Sequence, residues 1–334
     1  MTALLEIQKA SKVFGSGANA TVALDNFSLS VSAEVPSFTA VAGESGSGKT
    51  TLARLLLGFS EPSSGQVLYR GKDLRKMSQP EWLAFRHEVQ AVFQDPFEVF
   101  NPFYRVDHLL SVPVAKFRLA ASPQEAHAKI EAALIAVGLR PEETLGRYPH
   151  QLSGGQRQRL TIARALLLQP RLIIADEPVS MVDASLRATI LETLRSLHTR
   201  FGISFLYITH DLTTAYQITR NIVVLYRGQV AEVGDVDQVI KQPEHPYSRL
   251  LISSIPVPDV DRRWSDEPLA AVAADASAAA RKGCAFVDRC PFAMPMCSDS
   301  PPPLYRTADH RATSCFLYRQ APILPPEEIN SVLE

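Results

Sequence analysis

The chain opens with short apolar segments separated by turns: LLEIQKA, ALDNFSLSV and SFTAVAG, the last running directly into a glycine-rich stretch. Segments of this length and spacing predict two or three strands, then a strand–loop–helix unit whose helix continues through TTLARLLLG. SSG at 63–65 turns the chain into QVLYR, a further predicted strand. From 96 to 147 the character changes, and HAKIEAALIAVGL carries a helical period, so a mostly helical insert is expected. RLIIAD (171–176) and ISFLYITH (203–210) are short, apolar and β-branched, the pattern of strands buried on both faces of a parallel sheet. The 184–200 stretch between them is helical in period, and strand–helix–strand order predicts an α/β core. NIVVLYRGQVAEVG reads as a hairpin turned by Arg227 and Gly228. Beyond HPYSRLLISSIP, alanine and proline dominate until Cys284, which predicts an irregular extension rather than a second large core.

Composition adds bounds to this outline. A chain of 334 residues, 46% of them hydrophobic, can bury a substantial core and is expected to be globular. Its 34 basic and 35 acidic residues leave a net charge of -1, which argues against capture of nucleic acid by a strongly basic surface. The opening MTALLEIQKASKVF lacks the basic start and apolar run of a secretory signal. No window reaches the roughly 18 to 20 apolar residues that span a bilayer, so a cytoplasmic location is expected. All four cysteines, Cys284, Cys290, Cys297 and Cys315, fall near the end of the chain. Disulfides are disfavoured in the cytoplasm, which leaves thiols or metal ligands.

The glycine-rich stretch is the first candidate for chemistry. Gly43, Glu44, Ser45, Gly46, Ser47, Gly48, Lys49 and Thr50 spell G-x-x-x-x-G-K-T after a predicted strand and before a predicted helix. The glycines permit a tight loop, and the amides at the helix start can converge on phosphates. Lys49 is expected to contact the β- and γ-phosphates, the Thr50 hydroxyl to ligate magnesium, and Thr51 to touch the α-phosphate or cap the loop. Asp176 and Glu177 end RLIIADE; an apolar strand with Asp at its tip is how P-loop proteins hold magnesium, and an adjacent Glu can polarise the attacking water. A second anion-binding nest is predicted at LSGGQRQRL, where Ser153 and the amides of Gly154 and Gly155 open a helix. One P-loop already cradles the phosphates, so a second nest has no obvious work within the same site; it would have work across a dimer interface.

These motifs, in this order, closely resemble the ATP-binding subunit of an ABC transporter, and the resemblance covers nearly all of residues 4–320. It implies a P-loop NTPase core of ABC ATPase type with an N-terminal antiparallel β-subdomain, a helical signature subdomain and a cysteine-bearing C-terminal extension. The implied boundaries are 1–255 for the ATPase domain, with the helical subdomain at about 96–165, and 256–334 for the extension. Gln94 in VFQDP resembles the Q-loop residue that approaches magnesium and the attacking water, and His210 in ITHD the switch histidine at the γ-phosphate. Ser153, Gly154, Gly155 and Gln156 belong to the signature that would close on the ATP of a second ATPase subunit, identical or homologous. Phe14 matches the aromatic position that stacks on adenine, and Asp183 the aspartate of the dimer-contact loop. Around Asp183 the chain reads SMVD where the family usually has SALD, and Val179 stands where threonine is common; neither change removes a phosphate or magnesium ligand.

FQDPFEVFNPF (93–103) and HPYSRLLISSIPVPD (245–259) resemble the oligopeptide and dipeptide importer branch, whose relatives also carry oligosaccharides, nickel or other solutes. Phe97, Phe100 and Phe103 are candidates for a groove that receives a helix of a membrane subunit, or else for a helical-subdomain core. The implied partners are two transmembrane permease subunits and, indirectly, an extracytoplasmic solute-binding protein, with the chain peripheral on the cytoplasmic face of the membrane. The spacing Cys284-x5-Cys290-x6-Cys297-x17-Cys315 supplies four soft thiolates, enough for one metal centre. The resemblance favours a [4Fe-4S] cluster; a Zn(Cys)4 site and free buried cysteines are the alternatives. A soluble ABC ATPase acting on DNA or the ribosome, or an export ATPase, would share the hydrolytic residues but not the C-terminal match.

Overall fold

The computed structural model describes residues 2–17, 20–255 and 282–334. Alternating apolar positions form β1 (Ala3–Phe14) and β2 (Thr21–Ser32), and the fully buried FTAVA run forms β3 (Phe38–Ala42). After the glycine loop come α1 (Lys49–Leu56), β4 (Ser64–Tyr69), β5 (Lys72–Asp73), α2 (Gln79–Glu88) and β6 (Val89–Val92). Next come α3 (Val106–Lys116), α4 (Pro123–Ala136) and α5 (Pro141–Thr144), within the stretch predicted to be mostly helical, and then α6 (Gly154–Leu166). Then follow β7 (Leu172–Asp176), α7 (Ala184–Phe201), β8 (Ser204–Thr209), α8 (Leu212–Ile218), β9 (Asn221–Tyr226), β10 (Gln229–Asp235), α9 (Val236–Lys241) and α10 (Pro246–Ser253). The last described segment adds α11 (Met296–Asp299), β11 (Tyr305–Ala308) and β12 (Arg311–Thr313).

The chain divides into two compact units. The first comprises Met1–Leu4, Val31–Phe38 and Leu74–Ile208. Its strands pair in parallel, β6 with β7 and β7 with β8, and Asp176 stands opposite Ile208 at the end of the ladder. Every residue of β8 is buried, as a strand covered on both faces requires. Phe38 stacks on Phe205 with ring centroids 4.8 Å apart, a contact that contributes about 0.5–1.5 kcal/mol beyond simple burial. Helix starts are locally encoded. Ser122 caps α4 by accepting the Glu125 amide at 3.1 Å, and Ser78 and Glu81 make a capping box for α2.

The second unit comprises Leu5–Ser30, Thr39–Asp73 and Thr209–Glu334. One sheet in it is antiparallel, in the order β2-β1-β4-β5. In the other, β3 pairs parallel with β9, and β9, β10, β12 and β11 continue antiparallel. The hairpin between β9 and β10 turns on Arg227 and Gly228, both at positive φ (47° and 81°), the two-residue turn whose twist suits the strands it joins. β12 adds to β10 with Glu232 opposite Thr313, and Cys297, Tyr305 and Phe316 form a small buried cluster. The described part of the C-terminal segment therefore contributes two short strands and a small cluster, without a second large core among the described residues. The alanine- and proline-rich stretch at 256–281 lies outside the described residues.

Candidate functional site

The glycine loop leaves β3 and enters α1 within the second unit. Gly48 is the N-cap of α1 with φ 105°, and a Cβ there would overlap the Ala23 carbonyl, so only glycine fits this backbone. The tip of the β9–β10 hairpin closes the same spot: the Gly228 amide donates to the Ser47 carbonyl at 2.8 Å, and the Asp25 amide donates to the Gly228 carbonyl at 2.9 Å. Lys49 is buried, and its ammonium donates to the Gly43 carbonyl at 2.7 Å and the Glu44 carbonyl at 2.9 Å. The adjoining Ser45, Gly46 and Thr50 are exposed.

Glu44 is held from the C-terminal part of the chain. Its amide donates to the Tyr247 hydroxyl at 2.8 Å, and its carboxylate accepts two bonds from Arg289, at 3.0 and 3.1 Å. Those bonds hold the Arg289 guanidinium more firmly protonated than usual, while burial raises the Tyr247 phenol above its ordinary range. Neither residue was a candidate from sequence. Tyr247 lies in the HPY run, but nothing in the local pattern links it, or an arginine between two cysteines, to the glycine loop.

Also in this unit, Phe14 ends β1 with 48% of its surface exposed, and the Lys12 ammonium sits 5.2 Å from its ring centroid. His210 is exposed between β8 and α8. Its neighbours fix the bend: the Asp211 amide donates to Thr209 Oγ1 at 3.0 Å, and Asp211 caps α8 by accepting the Thr213 and Thr214 amides.

The remaining candidates lie in the first unit. Asp176 ends β7, and Glu177 follows with φ 46°, an uncommon conformation for a residue with a Cβ. The Glu177 amide donates to the Ile208 carbonyl at 2.9 Å, and its own carbonyl accepts from the Ser180 hydroxyl at 3.0 Å. Ser153 opens α6 in a capping box: its hydroxyl accepts the Gln156 amide at 3.2 Å, and Gln156 Oε1 accepts the Ser153 amide at 2.8 Å. A Cβ on Gly154 would lie 3.7 Å from the Met181 carbonyl, and one on Gly155 only 2.8 Å from Leu186, so the signature packs closely on the loop that carries Asp183. In that SMVD loop Met181 is 55% exposed and Val182 is buried. Gln94 is exposed just after β6, where Gln158 of α6 donates to the Phe93 carbonyl at 3.2 Å. Phe97 and Phe103 are exposed, and Arg157 stands 3.8 Å from the Phe97 ring centroid.

The four cysteines converge. Cys284, Cys290, Cys297 and Cys315 line one small apolar pocket together with His245 and Phe286. Burial pushes the Cys315 thiol up to about 11, and raises Cys284 and Cys290 as well, with the neighbouring thiols adding to the effect. His245 is deeply buried and pushed down to about 4; its Nδ1 accepts the Tyr247 amide at 3.0 Å. Among the described residues, no three His, Cys, Asp or Glu side chains are gathered so as to hold a metal ion.

Comparison with known proteins agrees with the motifs. A family described as ABC transporter matches residues 24–180, and a second, described as oligopeptide/dipeptide transporter, C-terminal region, matches residues 231–297. A putative oligopeptide transport ATP-binding protein of Bacillus subtilis, YkfD, is 38% identical over 320 residues, covering 95% of this chain and 96% of its own length. The oligopeptide transport ATP-binding protein OppF of Escherichia coli is 38% identical over 278 residues, 83% of this chain and 82% of its own. Among solved structures, the ATP-binding cassette MJ0796 in a dimeric post-hydrolysis state with ADP and Pi covers 70% of this chain and 98% of its own, at 27% identity and a TM-score of 0.61. CbiO1 of Clostridium perfringens, part of the complex cbiONQ, covers 72% of this chain and 92% of its own, at 25% identity and a TM-score of 0.62. Nucleotide loop, signature helix and C-terminal match together make this chain a member of the ABC transporter ATPases, in the branch of the oligopeptide and dipeptide ATP-binding subunits.

Proposed function

We propose that this ATPase powers peptide uptake, seated on the cytoplasmic face of the membrane against two permease subunits that are served by an extracytoplasmic solute-binding protein. The C-terminal match at residues 231–297 carries this reading, because it lies outside the ABC transporter match at 24–180. Co-purification with two permease subunits and ATPase activity stimulated by peptide-loaded receptor would bear it out. Stimulation by an oligosaccharide or nickel receptor, and not by a peptide one, would move the cargo to another branch.

In this reading each ATP lies between the glycine loop of one subunit and residues 153–156 of a second, identical or homologous. Lys49 takes the β- and γ-phosphates, Thr51 the α-phosphate, and Phe14 stacks on adenine. Thr50, Gln94 and Asp176 are assigned to magnesium, which would neutralise phosphate charge; their hard oxygen donors suit that ion. Glu177 accepts a proton from the attacking water, His210 contacts the γ-phosphate, and Asp183 meets the partner subunit. Binding closes the pair and hydrolysis reopens it, delivering a mechanical stroke.

The four cysteines are assigned to a [4Fe-4S] cluster. Their common pocket supports this, since all four thiols line it and four soft thiolates would suit an iron–sulfur centre. Bound there, it would cross-link the C-terminal segment through Cys284, Cys290, Cys297 and Cys315.

A further inference from the structure

Glu44 is the one acidic residue among positions 43–51. Each of its polar groups is engaged: the amide by Tyr247, the carbonyl by Lys49, and the carboxylate by the fork of Arg289. Glu44 is thus a direct link between the lysine assigned to the phosphates and a guanidinium that lies beyond the ABC transporter match at 24–180. A carboxylate in a loop that receives a polyphosphate works against binding unless its charge is matched.

Arg289 is placed to match it. Its guanidinium lies 5.8 Å from the Tyr226 ring centroid and 5.6 Å from that of Phe286, and it also donates to the Tyr226 hydroxyl at 3.4 Å. Tyr226 packs in turn against Tyr247, with centroids 4.4 Å apart. The side chain of Arg289 is 23% exposed and that of Glu44 38%, so the pair is a two-point, partly shielded contact rather than an open surface bridge. Arg289 sits in the short turn Val287–Arg289, between Cys284 and Cys290, and the Cys284 amide donates to the Cys297 carbonyl at 2.7 Å. The fold of the cysteine-bearing segment therefore sets where the guanidinium stands.

We infer that Arg289 is a positioning residue for the nucleotide loop: by fixing and neutralising Glu44 it makes phosphate binding depend on the C-terminal segment. The inference rests on residues 43–50 being the nucleotide loop. It does not depend on any group at the cysteines.

The test is titration of the full chain with Mg-ADP, which binds without turnover, alongside a thermal melt. Arg289→Ala is expected to weaken Mg-ADP by about five- to tenfold, and Arg289→Lys by less, since the charge stays and the fork is lost. Adding Glu44→Gln to Arg289→Ala is expected to return affinity to within about twofold of wild type, because the unmatched charge is gone. A double variant that binds as weakly as Arg289→Ala alone, or an Arg289→Ala chain that binds like wild type, overturns the inference. If Arg289→Ala does not fold, the same comparison is made on Arg289→Lys, whose defect must shrink when Glu44→Gln is added; an unchanged defect overturns it. A wild-type chain that binds no Mg-ADP would instead sink the nucleotide-loop assignment itself.

Discussion

The Gly228 amide donates to the Ser47 carbonyl at 2.8 Å, tying the tip of the β9–β10 hairpin to the middle of the glycine loop. Ala23 lies against both Gly48 and Gly228, so three backbone segments meet with no room for a side chain. Gly48→Ala forces a Cβ into the Ala23 carbonyl at a φ of 105° and is expected to cost about 1–3 kcal/mol. Denaturant unfolding should show a lower midpoint and Mg-ADP titration a weaker site. Wild-type values for both would mean that the β2 backbone yields without penalty.

Glu177 holds a left-handed backbone conformation while pairing its amide with Ile208. Glutamine has the same shape and can keep that conformation, so Glu177→Gln should bind ATP as before and lose about 100-fold or more in turnover. Phosphate release beside an ATP-binding titration separates the two effects. Hydrolysis at the wild-type rate would remove Glu177 from the mechanism.

Glu232 is fully buried in β10, where its carboxylate accepts the Glu244 and His245 amides at 3.0 Å each. Burial is the leading cause that pushes it up to about 7, from 4.5. The folded state therefore holds a proton that the unfolded chain has released over that window, and Glu232 costs stability as pH rises from about 4.5 through about 7. Relative to Glu232→Gln, wild type should be favoured most at low pH, with its advantage shrinking by about 1 kcal/mol per pH unit across the window and levelling above it. Urea unfolding of both chains at pH 5, 6 and 8 gives the slope. A difference independent of pH would show that the carboxyl titrates alike in both states.

Iron and acid-labile sulfide, measured after anaerobic purification, should approach four of each per chain, with little zinc. Cys297→Ser, at the most buried of the four, should lose both and lower the melting temperature. A metal-free chain with full thermal stability would return these residues to the status of buried thiols.

Most of the α/β frame and the candidate site was legible because its signals are local. The strand before Gly43, the buried runs ending at Asp176 and Thr209, and the Arg227–Gly228 turn each carry their conformation in a few consecutive residues. β12 was not legible: RAT is three residues long with no alternation, and it becomes a strand only because β10 offers an edge. The positive φ of Glu177 was hidden too, since nothing in ADEP distinguishes it from an ordinary strand end. The Arg289–Glu44 pair was beyond reach for another reason: it is a tertiary contact between residues whose own neighbourhoods suggest a phosphate loop and a metal site, not each other.

That contact spans 245 residues. At ordinary rates of translation, the ribosome needs on the order of 10 to 50 s to travel from Glu44 to Arg289. During synthesis the glycine loop is thus made long before its guanidinium partner, and the nascent chain acquires the full set of contacts around Glu44 only once Arg289 has been made. A cassette truncated by premature termination would carry every hydrolytic residue and still lack the clamp on its nucleotide loop.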